Sequence, residues 1–345
     1  MDMTRRGLLV GTFFGLPGLW RSRSAWAAEG AATTLKISHQ FPSSSGAEGD
    51  FRDRLVRKFA AEIEKRSGGK LKCDIYPGSS LMKVNAQFAA LRKGALDMTL
   101  LPLPYAGGEV PELNIAFIPG LVTSYEQGYA WRSAEIGRAL TQFLADKGVV
   151  LVTWIWQAGG AASRTAAIVM PEDVKGFKVR GGSREMDMVI KAAGGATLSF
   201  PSNETYVAMQ TGAADAVTTS STSLLSFRLS EVSKHLTINS QGRSYWFMLE
   251  PLLMSKMVFD RLPKDQQQLI MQTGADLEKF ALEGARADDR AVAQAYTKAG
   301  ASVHDLTDDA LKKWVALAKQ TAWTDYAGKN ETCAKFLKLA DAVKK

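Results

Sequence analysis

Short apolar strands alternate with amphipathic helices along most of the chain. Thr34 to Ser38 changes polarity at every residue, the period-two mark of a half-buried strand. Phe51, Leu55, Val56, Phe59, Ala60 and Ile63 then recur at helical spacing with charged residues between them, until Gly68-Gly69 ends the run. Leu71 to Tyr76 reads as a second strand stopped by Pro77-Gly78, Val84 to Arg92 as a helix stopped by Gly94, and Leu96 to Leu101 as a buried strand. Tyr125 to Asp146 predicts one long helix. Val149 to Trp156 is an unbroken apolar strand whose alternation puts Trp154 and Trp156 on one face. The small residues of Gln157 to Ala162 then mark a hinge or a close backbone approach, read here as the first crossing between two lobes.

The second half repeats the alternation. Phe177 to Arg180 is a short strand that ends on a fixed cation, and Gly181-Gly182 open the turn after it. Asn203 is a good helix N-cap for Tyr206 to Gln210, which Gly212 stops, and Ala214 to Val217 is a strand. Leu236 to Asn239 and Ser244 to Met254 read as strands on a return path. From Pro263, favoured in a first turn, helical pattern runs to about Ala299, on the order of 55 Å at about 1.5 Å per residue. That is longer than one lobe needs. Val303 to Leu306 is a short strand, Thr307 caps the next helix over Asp308 and Asp309, and Lys329 to Lys345 is an amphipathic helix. In open α/β sheets the ligand crevice lies beyond the carboxyl ends of strands. Arg180 stands at such an end, where a guanidinium holds a carboxylate through two parallel hydrogen bonds.

Composition narrows the partners. The 345 residues are 46% hydrophobic and 23% charged, with net charge +8 and mean hydropathy −0.10, enough for two lobes. Thr4-Arg5-Arg6-Gly7-Leu8-Leu9, an apolar segment to Trp20, and Ala25-Trp26-Ala27 together make an export signal over residues 1–27. The paired arginines point to the twin-arginine route; an ordinary Sec signal with two basic residues is the alternative. The segment carries Arg5, Arg6, Arg21 and Arg23 against Asp2, so its removal lowers the net charge by three. No basic block is interleaved with aromatics, which argues against nucleic acid. Cys73 and Cys333 permit one disulfide in an exported protein, or stand as two separate thiols, and no spacing suggests a metal or cofactor. The histidines are His39, His235 and His304, none beside a nucleophile motif; with no G-x-S-x-G, P-loop, H-E-x-x-H or C-x-x-C, a binding protein is expected rather than an enzyme.

Pro171 to Arg180 and Phe200 to Asp215 resemble, in order and spacing, the core of the TRAP-transporter periplasmic substrate-binding proteins, the DctP-type solute receptors. Phe59 to Lys72 and Ala90 to Met98 are similar to further family stretches. The resemblance implies an α/β, two-lobed periplasmic-binding-protein fold (type II-like), with hinge strands and a long helix spanning both lobes. Lobe I is expected over 28–155, lobe II over 156–240, return strands over 241–262, the lobe-spanning helix over 263–300, and C-terminal helices over 301–345. It further implies a periplasmic receptor that captures a small-molecule carboxylate and delivers it to TRAP membrane subunits. The receptor of an ATP-driven importer, a sensor partner, and a periplasmic enzyme acting on an organic acid are the alternatives.

On this resemblance Arg180 falls on the family's carboxylate-binding arginine. Thr219 stands where the family carries a ligand-facing asparagine, and Thr218 where it carries glutamate, so a roomier, less amide-like pocket floor is expected. Arg164 corresponds, at a shorter spacing, to a second cleft arginine; the other reading is a solvated hairpin charge. Asn203 and the loop near His39 are expected to select the rest of the ligand. Tyr105 is either a contact or a rim residue packed on Pro104. Trp156 and Trp246 form an aromatic wall or belong to the core. The tryptophans favour an aromatic or bulky monocarboxylate, with a C4-dicarboxylate as the other option.

Overall fold

Thirteen strands are formed among residues 32–239 and 243–343, the part of the chain that the computed structural model describes. In chain order they are β1 (Thr33–His39), β2 (Leu71–Tyr76), β3 (Met98–Leu100), β4 (Val149–Thr153), β5 (Trp156–Gln157), β6 (Gly159–Ser163), β7 (Lys178–Arg180), β8 (Ala196–Leu198), β9 (Ala216–Ser220), β10 (His235–Ile238), β11 (Met248–Leu249), β12 (Leu252–Ser255) and β13 (Ser302–Asp305). One sheet has the order β2-β1-β3-β12-β4, the other β13-β10-β6-β9-β7-β8. Between them β5 and β11 pair antiparallel, with Trp156 opposite Leu249 and Gln157 opposite Met248. The chain thus leaves the first sheet after β4, returns to it through β11, and reaches the second sheet again at β13. The export signal expected over residues 1–27 lies outside the described residues.

Parallel pairing decides where loops gather. β1 is parallel to β2 and β3, and β7 is parallel to β8 and β9, so the loops after β1, β3, β7 and β9 leave from carboxyl ends. The chain after β1, β7 and β9 enters α-helices with capping side chains, and after β3 it enters the 3-10 turn Leu103–Ala106. Asp50 caps the helix Phe51–Arg66 through the Arg52 N–H, Asp53 lies in its first turn, and Lys65 and Arg66 lie in its last. Leu55, Val56, Phe59 and Ile63 on that helix are fully buried in the core of the first lobe. Ser183 caps the helix Arg184–Ala192 by accepting from Met186 N at 3.0 Å. Gly212 closes Thr205–Thr211 at φ +76°, a left-handed position that suits glycine.

Several elements are shorter than the periodicity predicts. The helix expected over Tyr125 to Asp146 is two, Tyr125–Ala130 and Glu135–Asp146. Trp131, at the break, is drawn fully inward and meets Trp156 edge-on, with ring centroids 5.1 Å apart. The strand expected from Val149 to Trp156 breaks after Thr153, because Trp156 belongs to the β5–β11 ladder rather than to β4. The single helix expected from Pro263 is Lys264–Asp276 followed by Glu278–Lys298, with Leu277 turning between them at φ −87°, ψ −5°. Gly274 lies against the Val152 backbone on one side of the turn. Glu278 is held by Arg132 at 2.6 Å on the other. The second piece, about 31 Å long, packs on elements of both lobes. Along the expected strand Ser244–Met254, only β11 and the first part of β12 are paired. Cys73 and Cys333 are free thiols, and no helix among the described residues is long and apolar enough to cross a membrane.

Candidate functional site

The loops after β1, β3, β7 and β9 meet in a cleft between the sheets. The cleft holds a cavity of about 280 Å³, lined by Arg52, Tyr105, Arg180, Thr219, Trp246 and Glu250 among others. Its walls leave room for about one water. The lobes are therefore shut on one another. Outside Tyr105 and Gly182 a wider groove opens, bearing Lys83, Arg184 and Lys191 together with Asp187 and Glu204.

Arg180 is 3% exposed and held from three directions. Its Nε donates to the Phe200 carbonyl at 3.0 Å, Nη1 to the Thr218 carbonyl at 3.1 Å, and Nη2 to the Tyr105 hydroxyl at 2.8 Å. A guanidinium has five N–H groups, so two remain beyond these contacts. Tyr105 belongs to the first lobe, and its hydroxyl also accepts from Ser202 N at 2.9 Å. It therefore ties the two lobes together beside the cation. Burial lifts the nearby Asp187 carboxyl to about 6, with Arg180 limiting the rise. Thr219 lines the cavity opposite Gly160 in the β6–β9 ladder. Trp246 lines it too, 4.9 Å from Phe117, and its indole N–H has no partner among the described residues.

Four other expected site residues sit elsewhere. Arg164 follows β6 at the end away from Thr219: its backbone N–H bonds the Asp215 carbonyl, and its side chain packs near Gly212. Four residues separate Asp215 from Thr219, about 13 Å of extended chain, so Arg164 is not a cleft arginine. Asn203 lies within a single 3-10 turn, Ser202–Glu204, rather than at the N-cap; it does not line the cavity, and the Thr205 hydroxyl bonds Ser202 instead. His39 is fully buried, with Nε2 3.1 Å from Asp53 Oδ1 and Nδ1 accepting from Phe41 N. Burial alone would raise the Asp53 carboxyl, but bonds from His39, Arg57 and Ser44 bring it down to about 2. His39 thus braces the loop after β1 instead of touching a ligand. Trp156 is 0% exposed, with its ring against Trp131 and Gly128. Trp156→Ala is expected to lower stability by about 3–5 kcal/mol, read by urea unfolding. Ligand affinity of the folded fraction should change far less, because the ring lies in the core.

Two groups that periodicity did not single out complete the cavity. Arg52, 1% exposed, gives Nε and Nη2 to the two oxygens of Asp50 at 2.9 and 2.6 Å, and Nη1 to Glu250 Oε2 at 3.2 Å. Its guanidinium carbon lies 3.6 Å from the centre of the Phe41 ring, which stacks on His39. Glu250 also receives Gln157 Nε2, and burial lifts its carboxyl to about 7 despite Arg52. The sequence signal was a cation two residues past a capping acid, on a first turn that also carries Asp53.

Residues 43–329 match the profile of DctP, the bacterial extracellular solute-binding proteins of family 7. The chain belongs to this family. It is 61% identical over 339 residues to a solute-binding protein of Albidiferax ferrireducens, covering 98% of this chain and 99% of that one. A crystal structure of a TRAP periplasmic solute-binding protein from Rhodoferax ferrireducens, with bound malonate, is 63% identical, with a TM-score of 0.88 over 90% of this chain and 98% of that chain. The C4-dicarboxylate-binding periplasmic protein DctP of Rhodobacter capsulatus is 26% identical over 320 residues, 90% of this chain and 91% of its own. The family is one of solute receptors for TRAP transporters, with the two-lobed fold seen here. In this DctP-family chain Arg52, Trp246 and Phe117 line the cavity together with Thr218 and Thr219.

Proposed function

We propose that this chain is a periplasmic receptor that captures one small organic acid in the interlobe cleft and hands it to TRAP membrane subunits. The carrying observation is Arg180, a buried guanidinium with two N–H groups to spare on the wall of a cavity of about 280 Å³. Walls this close together in the closed state favour a short acid over an aromatic or bulky one. The malonate held by the 63%-identical relative supports the same size class. Tyr105 bonds Arg180 and Ser202 across the lobes, a contact made only when they are closed. Closure can therefore be driven by differential affinity for the shut state.

A thermal-shift panel of malonate, succinate, pyroglutamate and galacturonate tests the proposal. A captured acid at about 100 times its Kd adds about 2.7 kcal/mol of apparent stability, so a clear rise in Tm with at least one acid is expected. Recovery of that acid unchanged after incubation separates a receptor from an enzyme. No shift with any short acid contradicts the proposal.

A further inference from the structure

On the receptor reading above, Asp50 and Glu250 already balance Arg52 and Arg180 before any acid enters the closed cleft. Asp50 matches Arg52 through two bonds, so Arg52 is not a spare cation. Glu250 faces Arg52 from the hinge side: its Oε2 takes Arg52 Nη1 and Gln157 Nε2, while no described residue bonds its Oε1. Glu250 lines the cavity and is 1% exposed. The other charged groups around it are Asp50 at the head of the helix Phe51–Arg66, Arg180 across the cavity, and Asp288 of the helix Glu278–Lys298, whose charge interacts with both Asp50 and Arg52. Ser223, from the helix after β9, contributes only a hydroxyl, which accepts from Arg52. With Glu250 ionised, Asp50, Arg52 and Glu250 together carry one excess negative charge. Arg180 can offset that charge or an incoming carboxylate, but not both, and an unmatched buried charge costs several kcal/mol.

We propose that Glu250 takes up one proton as the cleft closes on its acid, so that anion and proton are captured together. The carboxylate of Glu250 gains a proton from solvent and becomes a carboxylic acid; no other bond is made or broken. The new O–H then turns an unpartnered acceptor into a donor toward the ligand. Burial lifts this carboxyl to about 7, with Arg52 opposing and Asp50 adding to the rise. An open, hydrated cleft would leave it near the ordinary glutamate value of about 4.3. The sign follows from the raised closed-state value: capture is strongest at low pH and is lost as pH rises through about 7. Between the two values Kd should rise up to about tenfold per pH unit.

The test is calorimetric titration of the intact protein with the acid of the panel that raises Tm most. Buffers of different ionisation heat are used at about pH 6 and about pH 8, values that bracket the closed-state carboxyl. Uptake approaching one proton is expected at the lower pH and less at the higher. Glu250→Gln, whose amide donates without titrating, should show no uptake and a flat pH profile. Should that variant fail to fold, the wild-type slope of log Kd against pH decides, using pyroglutamate or galacturonate, which stay ionised across the range. A slope that approaches one between about pH 5 and 6.5 and flattens above about 7 supports the proposal, and a flat line throughout overturns it. Equal proton counts in wild type and Glu250→Gln overturn this inference alone, whereas a panel that binds no acid removes the receptor reading and this inference with it.

Discussion

Replacing Arg180 by alanine is expected to weaken capture of the acid at least tenfold. Its guanidinium is the cavity cation that is not already matched by a carboxylate through paired bonds, in contrast to Arg52. A hydrogen bond to a charged group contributes about 1.5–3 kcal/mol, and every 1.4 kcal/mol or so is tenfold in Kd. The loss has a second component. Arg180 joins the Phe200 and Thr218 carbonyls of the second lobe to the Tyr105 hydroxyl of the first. Without it, Tyr105 keeps only Ser202 N, and closure loses part of its drive. Arg180→Lys should recover little, because an ammonium cannot reproduce the planar fork. Tyr105→Phe should cost less, since it removes the tie between lobes but leaves the cation. Calorimetric Kd values for the three variants check the ranking; undiminished affinity in Arg180→Ala would rule out the role given to it.

The largest stability effect is expected at Arg52. Arg52→Met keeps much of the volume under Phe41 but leaves Asp50 and Glu250 facing each other without their shared cation. Breaking a buried pair by removing one partner costs about 3–5 kcal/mol. The cost should depend on pH in a definite direction. Glu250 has a raised value of about 7, so below it the carboxyl carries a proton and the repulsion with Asp50 is relieved. As pH rises past about 7 the penalty begins to develop and keeps growing, because losing Arg52 raises the Glu250 carboxyl further. Urea unfolding at about pH 5.5 and about pH 8 should show a clearly greater loss at the higher value, with Glu250→Gln in the same background recovering part of it. Equal losses at both pH values would contradict the account of this cluster.

Much of the architecture was legible because it is local. Period-two runs became β1 and β2, and helical spacing over Phe51 to Ile63 became a helix with those residues buried. The breaks were not legible. Trp131 and Trp156 meet edge-on although 25 residues separate them, and that contact divides both the helix from Tyr125 and the strand from Val149. A period detects which face is apolar; it does not detect where a distant ring pulls the chain out of line. Asn203 has the chemistry of a cap, yet the turn begins one residue earlier, so the same side chain has no helix to cap.

By itself the sequence determined that strands and amphipathic helices alternate and that a fixed cation ends the strand Lys178–Arg180, since both follow from spacing and residue type within a few positions; the two-lobed arrangement came from the family likeness. Family likeness pointed to Arg180 and Thr219 as ligand-facing residues, and both line the cavity. Tertiary structure alone decided which other side chains share it. Arg52 and Glu250 lie 198 residues apart and are joined only when β11 returns against β5. Arg164 was carried to the far end of β6 by a strand direction that no local pattern reveals. His39 and Trp156 were drawn into packing by Asp53 and Trp131. Charge matching inside a closed cleft depends on distances between segments, and those are set by how the two sheets fold against each other.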